Sequence, residues 1–326
     1  MARRLSFDGY DGSKPVALPD VNAPLHGDGR ACSLARVLEI ALAHVGRPLR
    51  YDAIMGLCGL AFRTPPWPDR PSLTVAESRD TVHALSGALG DCMRFLGGES
   101  KPAEGEVLDA VAASVDAGRP CMALGWGSDK DHWSIIAGYD RGKEHLIGHC
   151  LLEAPRQQYE SWPPPVEMLV TITADPRPRG PEAVTEALQA GAKRWDDESA
   201  ARYEAWMREM RALDDVPGVA HEQAVEFLAD ARAAAAGFAE QVAEREREVT
   251  AAWLMRAAEQ WRELVRLLEA RGMPHSLEAL MALETPEGRE DWARMLEAAA
   301  RLEEAAATSV RRASTVDYLP SEAQSW

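Results

Sequence analysis

The sequence predicts an α+β amino-terminal domain, with its first long helix packed against an antiparallel sheet, followed by an all-α carboxyl-terminal domain. Three observations carry this. A chain of 326 residues is long enough for about two domains. Up to about residue 175, short strand-like apolar runs and helical segments are punctuated by Gly and Pro, whereas beyond DPRPRGPE the residues Ala, Glu, Arg, Leu and Trp recur at helical spacing. Within the first part helices come first and strands afterwards, which is the order of α+β and not of a doubly wound sheet. The domains are therefore drawn as 1–175 and 176–326.

In ACSLARVLEIALAHVG, Leu34, Val37, Leu38, Ala41 and Val45 form one stripe, and Gly46 and Pro48 stop the helix. Cys32 stands at its start. YDAIMGLCGLAFR predicts a short second helix, and EGEVLDAVAASVDAG repeats the amphipathic pattern, capped by Gly118. Three β-type signals follow: RPCMALGW, then the pair HWSIIAGYD and EHLIGHCLL joined by a two-residue turn at Arg141-Gly142, then VEMLVTITA. The second part has helical stretches at 181–212, 219–243, 244–271 and 286–313, separated by Pro217-Gly218, Gly272-Met273-Pro274 and Pro286. Between Pro217 and Pro274 the chain reads either as one helix of about 80 Å or as two, broken where the stripe lapses at Arg245-Glu246. Trp195, Trp206, Trp253, Trp261 and Trp292 fall at helical spacing and read as core, not as a ligand cage.

Charge and cysteine usage exclude several classes. There are 36 Lys and Arg against 52 Asp and Glu, a formal charge of -16. The first 175 residues hold 17 basic and 23 acidic side chains and the remainder 19 and 29, so neither part tracks a polyanion and no nucleic acid is expected. MARRLSFDGYDGSKP has no apolar stretch behind its arginines, and no later run approaches the ~18 apolar residues of a membrane helix. No membrane partner is expected, and the chain reads as cytoplasmic. Cys32, Cys58, Cys92, Cys121 and Cys150 are odd in number and lack any C-x-x-C, so they read as free thiols. Cys58, Cys92 and Cys121 sit in apolar runs and read as small buried hydrophobes. His132, His145, His149 and Cys150 have spacings that match no standard metal site; no metal and no other cofactor is expected.

The sharpest constellation is Cys32 at a helix start and His132 at a strand start. The N-terminal end of a helix favours a thiolate, and the backbone N–H of Cys32 stands where it could bond an oxyanion. His132, between the acidic DKD and the apolar WSII, would project from a rigid strand and shuttle the proton. Arg30 either helps hold the thiolate or is simply solvated. The blocks CSLARVLEIALAHVG, YDAIMGLCGLAFR and GRPCMALGWGSDKDHWSIIAGYD, in that order and spacing, resemble the papain-like cysteine peptidase superfamily. The branch is that of peptidases that trim double-glycine leader peptides, and the resemblance is closer to their non-peptidase relatives typified by butirosin biosynthesis protein H. It spans about residues 20–175; RYEAWMREM and AVEFLADA add a weaker likeness in the tail.

The resemblance implies a papain-like domain in which Cys32 is the nucleophile and His132 the general base. The family's Gln, six residues before the Cys and a second oxyanion donor, is replaced by His26, which can donate one bond. The family's third residue, Asp or Asn on the next strand, has no counterpart between Asp140 and Glu153. A two-residue turn would pair His149 with Ser134 on the face of His132, making His149 or Glu153 the orienting group; a three-residue turn would bring Cys150 there instead. Trp126 and Trp133 would wall the substrate site and shield a thioester from water.

The reading is a cysteine-dependent acyl transferase, or an amide or thioester hydrolase, acting on a small-molecule or peptide acyl substrate in the biosynthesis of a small molecule. An acyl carrier protein is a conceivable donor, though the acidic first domain would repel a typical acidic carrier unless a basic patch exists. Two readings compete: an inactive papain-like ligand-binding protein, and a helical interaction protein whose tail supports homo-oligomers.

Overall fold

In the computed structural model, residues 15–24, 30–67, 72–128, 130–150, 159–213, 217–270 and 281–315 are described. They fall into two units: up to Ile54 with Leu73–Pro178, and Met55–Ser72 with Arg179 onward. His26, Glu153 and the break at Gly272-Met273-Pro274 lie outside the described residues. No described helix is long and apolar enough to cross a membrane.

The first unit is built on one antiparallel sheet. Its strands are β1 (Val16–Ala17), β2 (Met93–Gly97), β3 (Cys121–Leu124), β4 (Trp133–Asp140), β5 (His145–His149), β6 (Glu160–Trp162) and β7 (Met168–Ile172). The order is β2-β7-β3-β4-β5-β6, with β1 also paired to β4. All of β3 and β4 is buried, which is why their sequences are continuous apolar runs and not alternating ones. Helix α1 (Ser33–His44) packs on β3 and β4. It is buried through Leu34, Ala35, Val37, Leu38, Ala41 and Leu42, each large aliphatic side chain contributing roughly 1.5–3 kcal/mol. Helix α2 (Tyr51–Leu57) ends in the second unit. Helix α3 (Val75–Ala88) starts with a capping box between Thr74 and Glu77, and α4 (Glu104–Asp116) packs on β4 and β7.

Two expectations change here. The β4–β5 connection is the four residues 141–144, not the two-residue turn Arg141-Gly142. Pairing runs from Asp140↔His145 to Gly138↔Ile147, and then a bulge at Ala137 shifts it, so that Ile136 opposes Gly148 and Ile135 opposes His149. An extra residue in one strand moves everything beyond it by one position. Beyond the bulge the register is that of the alternative turn, with His149 on the face of Ile135 instead of that of Ser134.

The second change concerns the boundary. Residues 55–72, read from sequence as part of the first domain, cluster with the helical unit. Arg232, 1% exposed, holds them: its Nη1 donates to the carbonyls of Ala61 and Arg63, both at 3.0 Å, and its Nη2 to Thr64 Oγ1 at 3.0 Å. Its Nε donates to Glu303, whose carboxylate also accepts from Tyr203 Oη and Trp261 Nε1, each at 3.2 Å. A buried ion pair is tolerable only when its remaining donors and acceptors are satisfied, as here.

Among the described residues, the long helices of this unit are α5 (Pro181–Arg194), α6 (Ala200–Ala212), α7 (Gly218–Ala243), α8 (Glu248–Glu269) and α9 (Pro286–Thr315). A π-helical turn, Trp195–Ser199, joins α5 to α6. The long proline-free stretch is two helices, broken at the Arg245-Glu246 lapse. Trp206, Trp261 and Trp292 are buried, as their spacing predicts, and Trp195 is partly buried against the cluster that holds Trp206 and Trp292; Trp253, expected in the core, is instead only half-buried, with the Arg312 and Arg256 guanidinium groups 4.7 and 5.8 Å from its ring centroid. Trp67 stacks on Trp206 with centroids 5.7 Å apart, and the ring of His221 lies edge-on to Trp67, Trp206 and Trp292.

Candidate active site around Cys32

Cys32 is the N-cap of α1, with extended backbone (φ -85°, ψ 99°), and no acidic residue stands in the helix's first turn. Its C=O accepts the first helical bond, from Arg36 N–H at 3.2 Å. The side chain is therefore at the positive end of the helix with no neighbouring carboxylate in that turn to oppose a thiolate. It is 3% exposed.

His132 immediately precedes β4 and is half-buried. The link between the two elements is one buried hydrogen bond. Trp133 N–H donates to Ser33 Oγ at 3.1 Å, across 100 residues of sequence. Cys32 and His132 each precede one partner of that bond, so the helix start and the strand start that carry them are pinned together. Ser33 sits where a serine can serve both as a first-turn residue and as an acceptor.

The N–H of Cys32 does not stand open. It donates to the hydroxyl of Tyr51, the first residue of α2, at 3.3 Å. Tyr51 is 3% exposed, and its own N–H donates to Glu39 Oε1 at 3.2 Å. The other oxygen of Glu39 accepts from Arg30 at 2.8 Å and Arg36 at 2.7 Å. Arg30 also lies over the Tyr51 ring, 5.1 Å from its centroid. The Arg30 side chain, 37% exposed, pairs with Glu39. No rule of spacing links Tyr51 or Glu39 to Cys32, so sequence reasoning passed over both.

His149 is not on the face expected of an orienting group. It is 2% exposed, its ring centroid lies 4.6 Å from that of Tyr159, and burial pushes its pKa down. Tyr159 Oη donates to the Leu18 carbonyl at 2.7 Å and accepts from Val21 N–H at 3.4 Å, tying the 18–21 segment to this place. His149 and Tyr159 line a cavity of about 1340 Å³, whose α1 wall is Arg36, Glu39, Ile40 and Ala43. That wall begins one turn after Cys32.

Cys150 takes the position the other register allowed. Its Sγ and Ser134 Oγ both approach the Trp126 carbonyl, at 3.8 and 3.4 Å. The Trp126 loop reaches them through Gly127, where φ is +83° and a Cβ would lie 2.1 Å from Cys150 Sγ. Trp126 and Trp133 are 0% and 3% exposed, core residues more than open walls, and the Trp126 indole N–H has no hydrogen-bond partner among the described residues. Among the described residues, no group of three or more His, Cys, Asp and Glu side chains is placed to hold a metal ion; His145 instead meets Ser161 Oγ at 3.1 Å.

Comparison with known proteins returned no match, either to a family model or to a curated protein.

Proposed function

We propose that the protein is a papain-like, cysteine-dependent acyl transferase or amide or thioester hydrolase, with Cys32 as nucleophile and His132 as general base. The observation that carries this reading is the buried Ser33–Trp133 hydrogen bond, which ties the thiol-bearing helix start to the imidazole-bearing strand start. Cys32 Sγ attacks the substrate carbonyl carbon while His132 takes the thiol proton. An S–C bond forms, the bond from carbonyl carbon to leaving group breaks, and His132 returns the proton to the leaving group. An amine or water then attacks the thioester and releases Cys32. The cavity along α1 has mixed apolar and charged walls and, among the described residues, is lined by neither Cys32 nor His132.

The experiment is turnover of a panel of thioesters and activated esters, with and without amine acceptors. Wild type turns over at least one, faster when an amine is supplied, and Cys32→Ala turns over none. Equal rates in the two chains would instead leave a papain-like binding protein. That second reading draws on one observation, the engagement of the Cys32 N–H by Tyr51.

A further inference from the structure

We infer that the cavity beside α1 is a binding site for a small primary amine with an apolar body, whose ammonium group donates a hydrogen bond to Nδ1 of His149. The inference does not depend on the cysteine reading. It concerns walls formed by residues 17–23, α1, residues 48–50, His149 and Tyr159, all of which belong to the first unit.

His149 is 2% exposed, and its Nδ1 is buried with no hydrogen-bond partner among the described residues. A buried polar atom in that state costs free energy, so it needs a reason in a native fold. Burial pushes the pKa of the ring down, against the pull of Glu160 and of the Val21 backbone, so near neutral pH the imidazole is uncharged and one nitrogen carries a lone pair. Which nitrogen that is follows from Val21. Its N–H is already given to Tyr159 Oη at 3.4 Å, so the backbone group that favours a protonated ring is the Val21 carbonyl, which can only accept. The ring proton therefore belongs on Nε2, and the lone pair on Nδ1. Tyr159 cannot satisfy it, although the two ring centroids are 4.6 Å apart, because its one proton goes to the Leu18 carbonyl at 2.7 Å. The missing partner is a donor.

Its charge follows from the same surroundings. Glu160 acts on His149, and Asp20 on Tyr159, as negative charges. The arginines of the walls are paired, Arg36 with Glu39 and Arg50 with Asp52. A cation is thus favoured over an anion at the His149 corner. Leu18, Val21, Ile40 and Leu49 add apolar wall to the same cavity of about 1340 Å³, against which an aliphatic body would pack.

The test is titration of the full chain with n-hexylamine near neutral pH, with no acyl donor present, followed by calorimetry and by nitrogen-15 NMR of the histidine rings. The expected result is saturable one-to-one binding that moves the Nδ1 resonance of His149. His149→Phe, which keeps a ring beside Tyr159, weakens binding at least ~10-fold, and Asp20→Asn, at an exposed position, about 3-fold. n-Hexanol, with the same chain and a neutral donor, binds more weakly than the amine, and hexanoate leaves the resonance in place. A resonance unmoved by the amine assigns the lone pair to water and overturns the inference. Hexanol or hexanoate binding as tightly as the amine overturns it too, as does undiminished binding by His149→Phe. Should His149→Phe fail to fold, the wild-type titration and Asp20→Asn decide the matter, and an affinity that Asp20→Asn leaves unchanged overturns it. Acylation of Cys32 is read in a separate assay, so either reading can fail alone.

Discussion

Cys32 is one buried thiol among five, and the other four are held back by their surroundings. Burial pushes Cys58 and Cys121 up to about 12 and raises Cys92 and Cys150. Near neutral pH, iodoacetamide should therefore modify the chain once, at Cys32, as read by peptide mass mapping; equal labelling of the five would contradict this. A second residue-scale prediction concerns His221. Its ring is pushed down to about 3 by burial among tryptophans, while Trp206 Nε1–H donates to its Nδ1 at 3.3 Å. The folded state thus keeps His221 neutral at pH 5, where the unfolded chain protonates it, so stability falls as pH drops below about 6.5 and continues to fall until about 3. Between pH 7 and pH 5, wild type should lose about 2 kcal/mol more unfolding free energy than His221→Gln, measured by urea denaturation; equal losses would contradict it. At this scale the places of Cys32 at a helix start and His132 just before a strand were legible because each element has its own sequence signature. The bond between Cys32 N–H and Tyr51 was not: it is a tertiary contact that no local pattern encodes.

At the scale of elements, the central strands were readable as continuous apolar runs, but their register was not. The bulge at Ala137 and the four-residue turn have no sharp signal in HWSIIAGYDRGKEH, and together they move His149 away from the face of Ser134 and Cys150 onto it. Strand β2 was hidden in the mixed pattern MRFLG, which is only partly buried. Helix α3 was hidden by its sparse apolar stripe, although its Thr74–Glu77 capping box was there to be read. The backbone at Gly127 offers the test of this arrangement. Gly127→Ala places a Cβ in a left-handed conformation and against Cys150 Sγ, and should cost about 2–4 kcal/mol. Cys150→Ala should recover part of that cost in the double variant, a coupling that unfolding measurements report as non-additivity. Strict additivity would mean that the two residues do not meet as described.

The whole molecule is mixed α and β followed by helices, as composition suggests, and the chain divides at Pro178–Arg179, within the stretch where composition changes, but residues 55–72 join the helical unit as well. Residues 55–72 supply the acceptors of Arg232 inside the helical unit, and a long-range insertion of this kind leaves no trace in local periodicity. A fragment beginning at residue 179 should accordingly fail to fold by circular dichroism and thermal melting, because its buried guanidinium loses three of its partners. Within the full chain, Glu303→Ala should cost roughly 3–5 kcal/mol by stranding that charge. The central claim, that this framework positions Cys32 as a nucleophile, is tested most directly by intact and peptide mass spectrometry of the chain after brief exposure to a thioester panel. The account predicts a single acyl mass on the Cys32 peptide, absent in Cys32→Ala and strongly slowed in His132→Ala. An unmodified wild-type chain, or an adduct of equal yield in Cys32→Ala, would contradict it.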